Sequence, residues 1–218
     1  GKMCQCLRKL YNAEVTRNLS KLLRGDESFS AFDPHCYSDR PEADGESPRE
    51  LMVMNRDICR RYADRFSTRS PNMVFSGGPG LGKTFLSACI ARTVAEQGFS
   101  VAYDSATAAL AAFEKEKFSR DLEESAVAGT VVKHYLDCDL MILDDLGTEM
   151  NTAFTQSALY TLINQRLIAG RPTIISTNLT EEALSGQYGP QIVSRLLGEY
   201  QWLHFRGMDI RRLHTRFP

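Results

Sequence analysis

Gly77-Gly78-Pro79-Gly80-Leu81-Gly82-Lys83-Thr84 decides the reading of this 218-residue chain. The octet fits the spacing G-x-x-x-x-G-K-[ST]. It follows a short apolar run, residues 73–76, and opens a segment of helical character, residues 84–97, that Gly98 ends. Glycines let the backbone turn so that successive N–H groups face phosphate oxygens. The N-terminus of the helix adds partial positive charge. The spacing therefore predicts a loop that binds ATP. Gly78, Pro79, Gly80, Leu81 and Gly82 line the phosphates, Lys83 reaches the β- and γ-phosphates, and the Thr84 hydroxyl binds Mg2+. Lys83 is expected to stay exposed until phosphate arrives. The alternative, an incidental glycine turn followed by Lys-Thr, lacks a reason for the strand before it and the helix after it.

Leu140-Met141-Ile142-Leu143-Asp144-Asp145 is a continuous apolar run that ends in two carboxylates. The run reads as a buried strand. Adjacent like charges repel, so the pair does nothing for a strand end by itself. A metal ion and an attacking water account for both acids: Asp144 is expected to hold Mg2+, usually through water, and Asp145 to polarise the nucleophilic water. The alternative is two solvated acids at an exposed strand end. Many P-loop ATPases carry Glu at the second position. Asp145 is one methylene shorter, which predicts slow hydrolysis, and Glu149 is a rival for the same role.

Outward from these two motifs the pattern alternates. Strands are predicted at 73–76, 100–103, 140–143, 173–176 and 202–205. Helices are predicted at 84–97, 106–118, 124–136, 155–169, 181–187 and 190–199. Such alternation means an α/β fold, a parallel sheet covered by helices on both faces. Before it, residues 50–66 form an amphipathic helix with Leu51, Met54, Ile58, Tyr62 and Phe66 on one face and Arg56, Arg60, Arg61 and Arg65 on the rest. Residues 38–49 are polar, with two prolines and a glycine, and read as an exposed linker. Residues 7–24 read as a helix closed by Gly25. The aromatics Phe29, Phe32 and Tyr37 are expected at the sheet edge or near the adenine.

Bulk composition narrows the classes. Hydrophobic residues make up 43% of the chain, enough for a core, and the formal net charge is −1. Charge alone gives no support for nucleic acid, so any DNA contact must be local. No apolar run approaches the ~18 residues of a membrane span. The polar start, and six cysteines of which four sit inside apolar or helical patterns, predict a cytoplasmic protein without disulfides or membrane contact. Gly1 in place of Met predicts a tag scar on a piece of a longer protein.

Together the octet, Leu140-Met141-Ile142-Leu143-Asp144-Asp145-Leu146-Gly147-Thr148-Glu149, Ile174-Ile175-Ser176-Thr177-Asn178-Leu179, Ile192-Val193-Ser194-Arg195-Leu196 and Gly207-Met208-Asp209-Ile210-Arg211-Arg212 resemble a known family. In that order they are similar to the AAA+ ATPases of the DnaC/DnaI type, the bacterial replicative helicase loaders, and to their transposition relative IstB. The resemblance covers roughly residues 50–212. It implies a P-loop NTPase of the AAA+ class with a five-stranded parallel sheet flanked by helices. The chain ends seven residues after Arg211, which implies a reduced or absent C-terminal lid. The domain division is then residues 1–49, a helix and linker, and residues 50–218, the ATPase domain.

The resemblance also assigns roles. Asn178 matches the sensor-1 position, where an amide holds the attacking water or touches the γ-phosphate; a loop Asn capping the next helix is the alternative, and Thr180 suits that task better. Arg195 matches the arginine finger that acts on a neighbour's ATP, a surface ion-pair Arg being the alternative and Arg166 the runner-up finger. Arg211 resembles sensor 2; a solvated terminal Arg is the alternative. Cys4 and Cys6 resemble the tail of a removed zinc module, or two incidental thiols.

The function implied is an accessory ATPase of the primosome. It loads a replicative hexameric helicase onto DNA, binds single-stranded DNA and self-associates in the ATP state. An IstB-like regulator of a transposase is the alternative, and a small-molecule kinase the reading from another class. DNA contact is expected at residues 106–136, two helices where one suffices, which carry Lys115, Lys117, Arg120 and Lys133 with Phe113 and Phe118. Against this, both aromatics can be core residues and the charges a solvated face. The arginine-bearing helix at 50–66 is the next candidate.

Overall fold

The computed structural model describes residues 27–43 and 45–211. Two short 3-10 turns, Phe29–Ala31 and Pro34–Cys36, precede α1, Pro48–Asp64. The remaining elements are β1 (Asn72–Ser76), α2 (Lys83–Glu96), β2 (Val101–Ser105), α3 (Ala106–Phe118), α4 (Leu122–Asp137), β3 (Leu140–Leu146), α5 (Ala153–Ile168), β4 (Thr173–Thr177), α6 (Glu181–Tyr188), α7 (Pro190–Glu199) and β5 (Tyr200–His204). The predicted helix at 7–24, Cys4 and Cys6 lie outside the described residues.

The five strands form one sheet in the order β2-β3-β4-β1-β5, and every neighbouring pair is parallel. The three central strands are buried on both faces, as their unbroken apolar runs require. One face packs with α1 and α2 through Met52, Cys59, Phe75, Ile90 and Tyr103. The other packs through Val74, Leu143, Leu159, Leu162 and Leu196. The C-terminal ends of β1, β3 and β4 therefore meet at one rim of the sheet, where open α/β folds hold their ligands.

Local chemistry sets the boundaries. Ser47 caps α1 in a reciprocal box with Glu50, and Pro48 occupies the first turn. The buried stripe of α1 is Leu51, Met52, Asn55, Cys59 and Ala63, whereas Met54 is 46% exposed. That is a rotation from the expected stripe. Its cause is Asn55, whose Nδ2 donates to the His204 carbonyl at 2.8 Å and turns that face toward β5. Residues before α1 join the same core: Tyr37 is buried and stacks on Phe32.

Arg166 corrects an expectation. It is fully buried, not a finger at a surface. Its guanidinium donates to Thr173 Oγ1 at 2.8 Å and to the carbonyls of Tyr135 (2.6 Å), Cys138 (3.1 Å) and Pro172 (2.7 Å), tying the end of α4 to the start of β4. A buried guanidinium needs such a set of acceptors, and at 0% exposure it does not reach a partner.

Candidate functional site

The loop after β1 turns into α2 at Gly82, which has a left-handed backbone (φ 94°) and serves as the N-cap. Tyr37 closes over it: its hydroxyl donates to the Leu81 carbonyl at 3.0 Å, and a methyl at Gly82 would lie 2.9 Å from that oxygen. A cleft of about 300 Å3 opens here, bounded by residues 79–85 with Asp145, Asn178, Ile210 and Arg211. The structure thus gathers at one rim side chains spread over more than a hundred residues of sequence.

Lys83 is not exposed, contrary to the sequence expectation; it is 4% accessible. Its ammonium donates to the carbonyls of Gly77 (2.6 Å) and Gly78 (2.7 Å) and to Asn178 Oδ1 (2.7 Å). Burial lowers its pKa, the Asp145 and Asp144 carboxylates oppose that, and the Arg211 charge adds to the lowering. The lysine is folded back onto its own loop, held by acceptors that phosphate oxygens can replace.

Asp144 is buried. Its Oδ1 accepts from Ser176 Oγ and from Thr84 Oγ1, the latter at 3.3 Å, and its Oδ2 accepts from Tyr103 OH at 3.1 Å. Burial raises its pKa, the Ser176 hydrogen bond pulls it back, and neighbouring Asp145 raises it further. Thr84 and Asp144, the two residues expected to share a metal, are thus in direct contact. Ser176 and Tyr103 were not found from sequence, because their role depends on β2 and β4 flanking β3. In this parallel sheet the register pairs Ser105, two residues beyond Tyr103, with Asp144.

Asp145 is the one non-glycine described residue with positive φ, at 54°. It sits where the β3–β4 register shifts between Leu143 and Leu146. A bulge of this kind re-aims a side chain. Here Asp145 N–H donates to Ser176 Oγ at 2.9 Å, and the residue lines the cleft. Glu149, the rival base, accepts from the Gly147 N–H at 3.1 Å and from the Tyr188 hydroxyl, so both its oxygens are engaged away from the cleft.

Asn178 faces the cleft and does not cap α6; Thr180 does, accepting from Ala183 N–H at 3.3 Å. Arg211 also lines the cleft, paired with Asp209 at 3.1 Å. Arg195 does not belong to it. Its guanidinium lies 4.5 Å from the Tyr160 ring centre and donates to Tyr160 OH at 2.7 Å and Asn164 Oδ1 at 3.2 Å.

The α3–α4 pair divides the residues expected to touch DNA. Phe113 is buried, as the core reading had it, whereas Phe118 is 58% exposed. Phe118 stacks edge-on with Phe154, ring centres 5.1 Å apart, and Lys117 Nζ lies 5.5 and 5.4 Å from the two rings. Lys115 is paired with Glu124 at 3.1 Å. The four described cysteines, Cys36, Cys59, Cys89 and Cys138, are unbridged. No helix among the described residues is long and apolar enough to cross a membrane.

The family model described as IstB-like ATP binding protein matches residues 53–205. An Escherichia coli (strain K12) protein, "Uncharacterized protein YdaV", is 30% identical over 179 residues, which are 78% of this chain and 65% of that protein. The replicative helicase loader DnaC of the same strain is 26% identical over 152 residues, 67% of this chain and 59% of DnaC. The chain thus spans less than two thirds of the length of these two curated relatives. Among solved structures, that of the DnaC helicase loader superposes with a TM-score of 0.65 at 18% identity, covering 83% of this chain and 97% of that one. DnaI gives 0.63 at 18% identity, covering 85% and 91%. The replication initiator DnaA bound to AMPPCP and single-stranded DNA gives 0.59 at 18% identity, covering 70% and 46%. The fold is that of the AAA+ P-loop ATPases.

Proposed function

The chain belongs to the family of IstB-like ATP-binding proteins, and from that premise we propose that it is an ATP-driven switch of DNA replication that delivers a replicative hexameric helicase to single-stranded DNA. The observation that carries the ATPase part is the convergence of Lys83, Thr84, Asp144, Asp145 and Asn178 at one rim of the sheet. The similarity to DnaC, named a replicative helicase loader, supports the choice of partner. The family description favours a second reading, an IstB-like regulator of a transposase, which would share the ATPase and differ in its partner.

Thr84 and Asp144 offer hard oxygens that fit Mg2+. These two side chains, in direct contact, would hold the ion, which usually keeps several of its own waters. When bound, Mg2+ neutralises charge on the transferring phosphoryl group. The chain's own residues supply the rest. Lys83 trades the Gly77 and Gly78 carbonyls for phosphate oxygens. Asp145 accepts the proton of the attacking water, and Asn178 orients that water. Arg195, which is absent from its own cleft, acts on the ATP of a neighbouring copy, so turnover depends on self-association. The setting is the cytoplasm.

We assign single-stranded DNA to the exposed Phe118, which rests on the half-buried Phe154, with Lys117, and to Arg120 and Lys133. Aromatic faces stack on bases of any identity, and cations neutralise phosphates. Fluorescence anisotropy with a labelled oligonucleotide and ATP tests this. Phe118→Ala is expected to weaken binding by about 1–3 kcal/mol, and added salt to weaken it further. Binding equal to wild type at the same salt would move the DNA path to the arginine-bearing face of α1. Capture of the purified helicase, against capture of a transposase, separates the two readings of the partner.

A further inference from the structure

The segment that leaves β5 runs along the phosphate loop. Phe205 N–H donates to the Ser76 carbonyl at 2.7 Å, and Ile210 N–H donates to the Gly80 carbonyl at 3.0 Å. Between these two anchors the Asp209 carboxylate lies against Gly80. A methyl group at Gly80 would stand 1.7 Å from Asp209 Oδ1, and the backbone there is left-handed (φ 70°). The same carboxylate holds Arg211 three ways. Oδ1 accepts from the Arg211 N–H and from its Nε, both at 3.1 Å, and Oδ2 accepts from Nη2 at 3.4 Å.

We propose that Asp209 is a positioning residue that parks Arg211 at the mouth of the cleft and competes with the nucleotide's phosphates for it. The inference rests on the reading of the cleft as a nucleotide site. A guanidinium binds two oxygens through one planar edge. The edge formed by Nε and Nη2 is occupied by Asp209, so phosphate takes it only by displacing the carboxylate. The Ile210–Gly80 hydrogen bond keeps the backbone in place, so the exchange needs only a rotation of the Arg211 side chain, which is 68% exposed. Arg211 and Lys83 line the same cleft.

Asp209→Asn keeps the shape and removes the charge. Isothermal titration of the full chain with ATP, ADP and AMP, each with Mg2+, reads the effect. We expect Asp209→Asn to bind ATP roughly threefold to fivefold tighter than wild type, the range of an exposed ion pair. The gain should shrink for ADP and vanish for AMP, and Asp209→Glu should behave as wild type. In the Arg211→Ala background the same substitution should change nothing. Equal or weaker ATP binding by Asp209→Asn overturns the inference, and so does a gain that persists without Arg211. Failure of the wild-type chain to bind ATP would instead remove the nucleotide reading, and this inference with it.

Discussion

Lys83 and Asn178, 95 positions apart in sequence, are joined by a 2.7 Å hydrogen bond from Nζ to Oδ1. The bond links the phosphate loop to the end of β4. Phosphate must therefore replace acceptors that already satisfy the lysine, and a bound phosphate gains charge-assisted bonds. Each such bond contributes roughly 1.5–3 kcal/mol. Lys83→Ala is expected to lose ATP affinity by at least about a hundredfold. Thermal unfolding checks it: ATP with Mg2+ raises the wild-type Tm by mass action and leaves the variant where it was. An unchanged ligand-induced shift would take Lys83 out of phosphate binding.

Asp144 makes stability depend on pH in a direction opposite to most carboxylates. Its folded pKa is raised, chiefly by burial, above the ordinary 3.8. The folded state then holds the proton more tightly than the unfolded one, so this group's effect is absent at low pH and destabilises as pH rises through the raised value. Asp144→Asn is expected to be more stable than wild type at neutral pH without metal, by about 2–4 °C in Tm for each ~1 kcal/mol of relieved burial. The gap should close below about pH 4, where the ordinary carboxyl is also protonated. The hydroxyls of Ser176, Thr84 and Tyr103 can each accept as well as donate, so the amide keeps partners. Mg2+ should stabilise wild type and not the variant.

The positive φ of Asp145 gives a physical reason for the short acid at this position. Left-handed backbone costs an ordinary L-residue about 1–2 kcal/mol, and Asp or Asn less because their short polar side chains bond locally. Asp145→Asn should keep the fold and nucleotide binding and lose about 10²–10⁴ in turnover, the range of a general base. Asp145→Glu should lower Tm by about 2–4 °C per kcal/mol. An Asp145→Glu protein as stable as wild type would mean that the bulge does not select the shorter side chain.

Arg195 is held by Tyr160 and Asn164 on its own subunit, away from its own cleft. Arg195→Ala is therefore expected to leave ATP affinity within about twofold, an effect of surface-substitution size, and to remove ATPase activity. Mixing it with Asp145→Asn should restore part of that activity, because some shared sites then combine an intact Asp145 with an intact Arg195. Steady-state phosphate release over a range of mixing ratios reads this. Loss of ATP affinity in the dilute single variant would place Arg195 in its own site.

The elements were legible because their signals are local. The glycines at 98 and 170, the cap-and-proline start of α1 and the apolar runs of β1 and β4 mark their own boundaries. What escaped were features made by distant partners. β3 extends through its two acids to Leu146, although the apolar run stops at Leu143, because a bulge carries the ladder past them. Arg166 looked like a surface cation, since no local pattern announces that four carbonyls from residues 135–172 converge on it. The octet and the paired acids pointed to Lys83, Thr84, Asp144 and Asp145 at the rim, and the resemblance added Asn178. Tyr103 and Ser176 became visible only when the sheet order brought them there, and the contacts of Tyr37 and Asp209 with the phosphate loop only in the folded chain.

Tyr37 has one practical consequence. It and Ile210 grip two consecutive carbonyls of the phosphate loop, Leu81 and Gly80, from opposite ends of the sequence. Both lie outside the span 53–205 that the family shares. The portable unit of this ATPase is therefore longer than its family signature. A graft or truncation cut at residues 53 and 205 would carry the lysine, the acids and the amide, yet arrive with its phosphate loop unbraced on both sides. A piece that keeps both braces runs at least from residue 37 to residue 210.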